Sequence, residues 1–227
     1  MSAPVLEMPC IIVNLKVYKE AYGRNALELA RAIAAASKGH EGQVAVACGA
    51  PDIRLLACET ELPVFAQHID PIPFGGHTGH ILAEAVADAG AVGTLINHAE
   101  FRQTLANIEA CVARAREANL MTCVCTNNVP TSAAVAAMGP DIIAVEPPEL
   151  IGGDISVSSA KPEVISGSVE AVARIDKHIA VLCGAGVKNG KDVRKSIELG
   201  AKGVLLASGV VKAKDVGAVM KDLLSGL

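Results

Sequence analysis

Short, nearly continuous apolar runs alternate with amphipathic segments along the whole chain. The runs are Cys10–Val13, Val44–Cys48, Val64–Ala66, Val92–Ile96, Met121–Cys125, Ile142–Val145, Ala180–Cys183 and Gly203–Leu206. Unbroken apolar runs of this length predict strands buried on both faces, as in a parallel sheet. Between them, Leu105, Ile108, Val112 and Ala115 mark one face of a helix around 102–118. Val216, Val219, Met220, Leu223 and Leu224 give the stripe of a last helix, and Thr131–Met138 a short, apolar one. Asn25, Thr131 and Asn189 are expected N-caps, and Gly90 and Gly200 expected helix stops. Such an alternation suits either a closed (β/α)8 barrel or a doubly wound open sheet. Gly90–Leu95 echoes Gly200–Leu205 four units later, which favours the eightfold barrel. No linker or shift in composition divides the chain, so residues 1–227 are expected to form one domain.

Composition narrows the function classes. With 51% apolar residues in 227, the chain is not disordered. A net charge of −4 and only two Tyr and three Phe argue against nucleic acid, which needs a basic stripe and stacking platforms. The mean hydropathy of +0.40 raises the membrane question. The longest charge-free stretch, Ala118–Pro140, is interrupted by Asn119, Thr122, Asn127, Asn128 and Pro130, so it is a poor span. The first basic residue is Lys16, so no basic n-region precedes an apolar run, and a cytoplasmic globular protein is expected. The seven cysteines are scattered through apolar segments, as reduced thiols used as small hydrophobes are. Neither Cys123-x-Cys125 nor His77-Thr78-Gly79-His80 has the partners that a metal site requires.

In a parallel barrel the active site gathers at the C-terminal ends of the strands, and reactive residues fall at five of them. Asn14-Leu15-Lys16 follows the first strand, where an amide and an ammonium can face an anion in the mouth. Asn97-His98-Ala99-Glu100 follows the fourth, and a histidine just before a helix is favoured as a neutral donor. Glu146 ends the sixth, where desolvation strengthens a carboxylate as a base. Pro147-Pro148 and Gly152-Gly153 bracket a segment with a stiff start and a hinge, as a lid requires. Gly184-Ala185-Gly186 and Ala207-Ser208-Gly209 follow the seventh and eighth, where barrels of this kind hold phosphate. Singly, each has an ordinary structural explanation: a surface lysine, a rim histidine, a loop glutamate. The glycines after the seventh strand also look like a dinucleotide fingerprint, but no acidic residue stands near the ribose position. Together they compose a phosphate cradle facing a base, a neutral donor and a cation.

In family order, the chain resembles the triose-phosphate isomerases, in the short form found in archaea, nearly end to end. The resemblance is carried by Val13-Asn14-Leu15-Lys16, Ala66-Gln67-His68, Gly75-Gly76-His77-Thr78-Gly79-His80 and Asn97-His98-Ala99-Glu100. It continues through Val145-Glu146-Pro147-Pro148-Glu149-Leu150-Ile151-Gly152, Gly184-Ala185-Gly186 and Leu205-Leu206-Ala207-Ser208. It implies a single-domain TIM barrel that interconverts dihydroxyacetone phosphate and glyceraldehyde 3-phosphate through an enediolate, with no cofactor or metal. On that reading Glu146 is the base, His98 polarises the carbonyl and shuttles the hydroxyl proton, and Lys16 with Asn14 offsets negative charge. Substrate would also contact Leu15, Ile151, Gly186, Ala207 and Ser208, while Glu100 would order the lysine. The resemblance further implies assembly: Gly76-His77-Thr78-Gly79 is similar to a loop that reaches into a neighbouring subunit's site. A homodimer is the minimum, and the region of Thr131–Met138 points to a homotetramer.

Two positions depart from the family pattern. Ala99 stands where serine is usual, so the hydroxyl that holds the base in the empty enzyme is missing. The lid reads Gly152-Gly153-Asp154, and Asp154 is expected to face solvent, away from a doubly negative phosphate. The rival readings are a metal-dependent sugar-phosphate epimerase, for which His and carboxylate ligands are too few, and a non-catalytic phosphate- or nucleotide-binding module. The module accounts for Gly184–Gly190 but leaves Lys16, His98 and Glu146 unexplained.

Overall fold

The computed structural model describes residues 4–147 and 157–227. Eight parallel strands close on themselves in sequence order. They are β1 (Cys10–Asn14), β2 (Val44–Cys48), β3 (Val64–Ala66), β4 (Gly93–Ile96), β5 (Met121–Thr126), β6 (Ile142–Val145), β7 (Ala180–Gly184) and β8 (Gly203–Leu206). β8 pairs back to β1 with Val204 opposite Ile11 and Leu206 opposite Val13. The helices are α1 (Arg24–Ala36), α2 (Ile53–Glu59), α3 (Ala83–Asp88), α4 (Leu105–Glu117) and α5 (Val129–Ala136). They continue with α6 (Val157–Ala160), α7 (Pro162–Ala173), α8 (Gly190–Glu198), α9 (Ser208–Val211) and α10 (Val216–Leu224). The closed barrel, not the open sheet, is the architecture. Among the described residues no helix is long and apolar enough to cross a membrane.

The period-two alternation of each strand divides the core into two layers. Ile11, Val13, Val46, Val64, Ile96, Val124, Ile143, Val181 and Val204 share one cluster with the helices. Ile12, Ala45, Ala47, Phe65, Leu95, Cys123, Cys125, Ala144, Leu182 and Leu205 share the other, which fills the barrel's interior. That interior mixes small Ala and Cys side chains with Ile, Leu and the ring of Phe65. A Cβ on Gly93 would come within 2.4 Å of the Phe65 ring, so the bare glycine on β4 makes room for it. Six of the seven cysteines are buried and all are free thiols, and only Cys58 is exposed. Burial pushes the Cys10 and Cys48 thiols up to about 12, so they act as small apolar groups.

The strand predictions hold to within one residue at each end, and the differences carry information. β1, β5 and β7 each run one residue further, to Asn14, Thr126 and Gly184, because polar or bare residues at the barrel mouth still make ladder bonds. Asn189 caps α8 as expected, accepting from Asp192 N–H at 3.0 Å, and Gly90 and Gly200 end their helices with φ of 98° and 96°. Two expected caps are corrected. Asn25 lies inside α1, which starts after Gly23, and its side-chain amide donates to Lys19 O instead. Thr131 lies inside α5, where Asn128 is the cap and accepts from the Thr131 N–H at 2.9 Å. Leu105 is also corrected: as the first residue of α4 it is 54% exposed, and the buried stripe is Ile108, Cys111, Val112 and Ala115.

Candidate active site

Loops after β1, β4, β6, β7 and β8 meet in one cleft at the C-terminal end of the barrel. Asn14, Lys16, His98, Glu146, Gly186, Ala207 and Ser208 line it, together with Tyr18 and Lys188. Most of the residues expected from the sequence are therefore brought together. Two are not placed there. Leu15 is fully buried in the layer between barrel and helices, its N–H bonded to Ala47 O, and its side chain does not line the cleft. Ile151 and Gly152-Gly153-Asp154, the expected lid tip, lie outside the described residues.

The cation is held by its backbone as much as by its side chain. Lys16 has φ of 51°, a left-handed conformation that a residue with a Cβ adopts at a cost. Asn14 Oδ1 accepts the Lys16 N–H at 3.0 Å, and the Gln67 side-chain amide donates to Lys16 O at 3.0 Å and Asn14 Oδ1 at 3.2 Å. These bonds fix the turn that sends the lysine stem across the mouth. Lys16 Nζ then meets Glu100 Oε1 at 2.7 Å, with the lysine side chain 10% exposed and the glutamate 59%. A pair this open adds about 0–1 kcal/mol to stability, so its effect is to hold the ammonium in place. Glu100 therefore stands beside the lysine, as the sequence reading expected. Gln67, which anchors the turn, had no role assigned from sequence. Its signals were its place directly after the apolar β3 and within Ala66-Gln67-His68, which carries the resemblance.

His98 and Glu146 face each other. His98 Nδ1 accepts the backbone N–H of Glu100 at 3.2 Å, which leaves the ring proton on Nε2. That Nε2 points at Glu146 Oε1, 3.7 Å away. Glu146 is 4% exposed, and among the described residues its Oε2 is buried with no hydrogen-bond partner. Its backbone N–H donates to Thr126 O at 2.7 Å, continuing the β5–β6 ladder past the strand's end. Beneath it, burial raises the Cys125 thiol well above the ordinary cysteine range, and the neighbouring Glu146 charge adds to the shift. An ionisable carboxylate oxygen kept from water without a partner is costly in a resting fold, and such groups concentrate where chemistry is done.

The other wall is backbone. Ala185 and Gly186 both adopt left-handed φ, 74° and 72°, turning the chain sharply where β7 ends. Ala207 and Ser208 lead from β8 into the single-turn α9, which the apolar pattern did not reveal. These two loops are where barrels of this architecture hold phosphate. Among the described residues no group of three His, Cys, Asp or Glu is arranged to hold a metal ion.

Gly184 sets the approach of the Glu146 stem, since a Cβ there would lie 2.3 Å from Glu146 Cγ. Gly184→Ala is expected to lose about 1–3 kcal/mol by overpacking the buried glutamate stem. Thermal unfolding checks it, and an unchanged melting temperature contradicts it.

Comparisons with known proteins point to one family. A family model described as triosephosphate isomerase matches residues 9–223. Triosephosphate isomerase of Methanosarcina barkeri is 53% identical over 217 residues, 96% of this chain and 98% of that one. That of Methanocaldococcus jannaschii is 52% identical over 214 residues, 94% of this chain and 98% of the relative. The crystal structure of triosephosphate isomerase from Bartonella henselae shares the fold at a TM-score of 0.71 and 20% identity, covering 96% of this chain and 97% of that one. An identity above one half over almost the full length, with the family model spanning the barrel, shows that the chain belongs to the triosephosphate isomerase family.

Proposed function

We propose that the chain interconverts dihydroxyacetone phosphate and D-glyceraldehyde 3-phosphate, with Glu146, His98 and Lys16 as its catalytic residues. The observation that carries the reading is the buried Oε2 of Glu146, without a hydrogen-bond partner among the described residues, in the cleft that His98 Nε2 faces. Glu146 takes the proton alpha to the carbonyl and returns it to the neighbouring carbon. The resulting enediolate has its charge on oxygen, where the Nε2–H of His98 donates and the Lys16 ammonium compensates. The Nε2 proton can pass to that oxygen and be recovered from the adjacent hydroxyl, which moves the carbonyl by one carbon. Asn14 steadies the lysine turn, and Gly186, Ala207, Ser208 and Ile151 take the phosphate. Closure of the segment after Glu146 keeps water from the enediolate. Ala99 carries no hydroxyl beside His98, so the base waits without the contact that a serine at that position would supply.

The whole of residues 1–227 is read as one catalytic domain, working in the cytoplasm in glycolysis and gluconeogenesis. We read the active form as at least a homodimer and favour a homotetramer. Val17, Phe74 and Phe101, 81%, 73% and 61% exposed, are large apolar side chains in loops at the barrel mouth that a second copy would cover. The exposed positions of and just after α5, Pro130, Ala134 and Ala137, carry no charge and suit a further contact. Light scattering across a dilution series is expected to give a two- or four-chain mass, and a monomer mass throughout contradicts assembly.

Activity is tested by a coupled isomerase assay in the presence of a chelator. Wild type is expected to turn over undiminished, and Glu146→Gln to lose at least about a hundredfold in kcat, the scale of a general base. A folded wild type without isomerase activity, stabilised instead by nucleotides, contradicts the reading and favours a binding module.

A further inference from the structure

We infer that Asn97 is the positioning residue for His98, tying the histidine to the same strand end that sets the base. The inference rests on the reading of His98 as the group that polarises the carbonyl. Asn97 is the first residue after β4, is 5% exposed and has φ of 61°, in the left-handed region that asparagine tolerates better than other residues with a Cβ. That turn at the strand end sends His98 toward the cleft. The backbone ladder between β4 and β5 ends with Ile96 opposite Val124, and the next register position would set Asn97 opposite Cys125. There the Asn97 side chain takes over from the backbone, its Nδ2 donating to Cys125 O at 2.9 Å. Its Oδ1 accepts the Gln103 N–H at 2.8 Å, and its carbonyl accepts from Arg102 Nη1 at 3.1 Å, so the loop carrying His98 folds back onto it.

The next carbonyl of β5, Thr126 O, accepts the Glu146 N–H at 2.7 Å. The histidine and the base are thus each tied to adjacent carbonyls at one strand end, which fixes the 3.7 Å between His98 Nε2 and Glu146 Oε1. Neither tie touches the loops after β7 and β8. Loss of the Asn97 amide therefore changes the aim of His98 and leaves the phosphate cradle as it was.

Two variants isolate this. Asn97→Gly keeps the left-handed backbone and removes both side-chain bonds. Asn97→Asp keeps the shape and the acceptor for Gln103 but has no N–H for Cys125 O. Both are expected to fold, as judged by thermal melting, and to lose about 10- to 100-fold in kcat, the scale of a misaimed catalytic group. KM, and the competitive inhibition constant for inorganic phosphate, are expected to stay within about twofold. His98→Gln, assayed alongside, separates the two claims. If it keeps wild-type kcat, the role of His98 fails. If it loses kcat while Asn97→Gly falls by less than about threefold, the role of Asn97 alone is overturned. Full activity in Asn97→Asp overturns the tie to β5, as does a weakening of phosphate inhibition in step with kcat.

Discussion

Everything in this molecule depends on the seam where the last strand meets the first. A sheet of eight strands becomes a barrel only if β8 can lie against β1, and Cys10 pairs there with Gly203. Gly203 has φ of 132°, and a Cβ on it would stand 1.9 Å from Cys10 O. A bare residue at that point lets the two backbones approach closely enough to bond. Closure removes the sheet's edges and points the C-terminal end of every strand at one mouth. Residues far apart in sequence, such as Lys16, His98, Glu146 and Ser208, share a cleft for that reason alone.

Within the mouth, hydrogen bonds set the positions of the cation and the histidine, and the carboxylate faces the histidine. Lys16 is tied to Glu100 and its turn is locked by Asn14 and Gln67. His98 has its Nδ1 occupied by a backbone N–H and therefore offers a proton from Nε2. Glu146 is buried in space that Gly184 leaves free, and among the described residues one of its oxygens has no hydrogen-bond partner. The fold holds that carboxylate because β5 fixes its backbone through the Thr126 carbonyl and the bare Gly184 of β7 leaves room for its stem. On the proposed reading, the cost of keeping it is an investment in reactivity, since a base already stripped of water need not shed it when substrate arrives.

The strands were legible in the sequence because burial on both faces leaves continuous apolar runs, and the runs' ends were close to the observed ones. The positions of His98, Glu146 and Lys16 followed from those ends and from the rule that barrel strands deliver chemistry at their C-termini. What the pattern missed was local backbone geometry. Asn25 and Thr131 have the side chains of caps, yet Gly23 and Asn128 hold the cap positions, because a cap is defined by the φ and ψ that precede the helix. The resemblance implied a substrate contact for Leu15, but alternation turns its side chain into the outer layer. Gln67 and Asn97 act through hydrogen bonds to main-chain carbonyls on other strands, a signal that no spacing along one strand carries.

The central claim is that Glu146 moves a proton between two carbons through an enediolate. Running the isomerisation in D2O and locating deuterium in the product by NMR tests it most directly. The account predicts deuterium on the carbon that receives the proton, since a carboxylic acid at Glu146 exchanges with solvent deuterium, and no product from Glu146→Gln on the same timescale. Undiminished product formation by Glu146→Gln, with no deuterium in the product of either enzyme, would contradict it, because the hydrogen would then have passed between the carbons without this carboxylate.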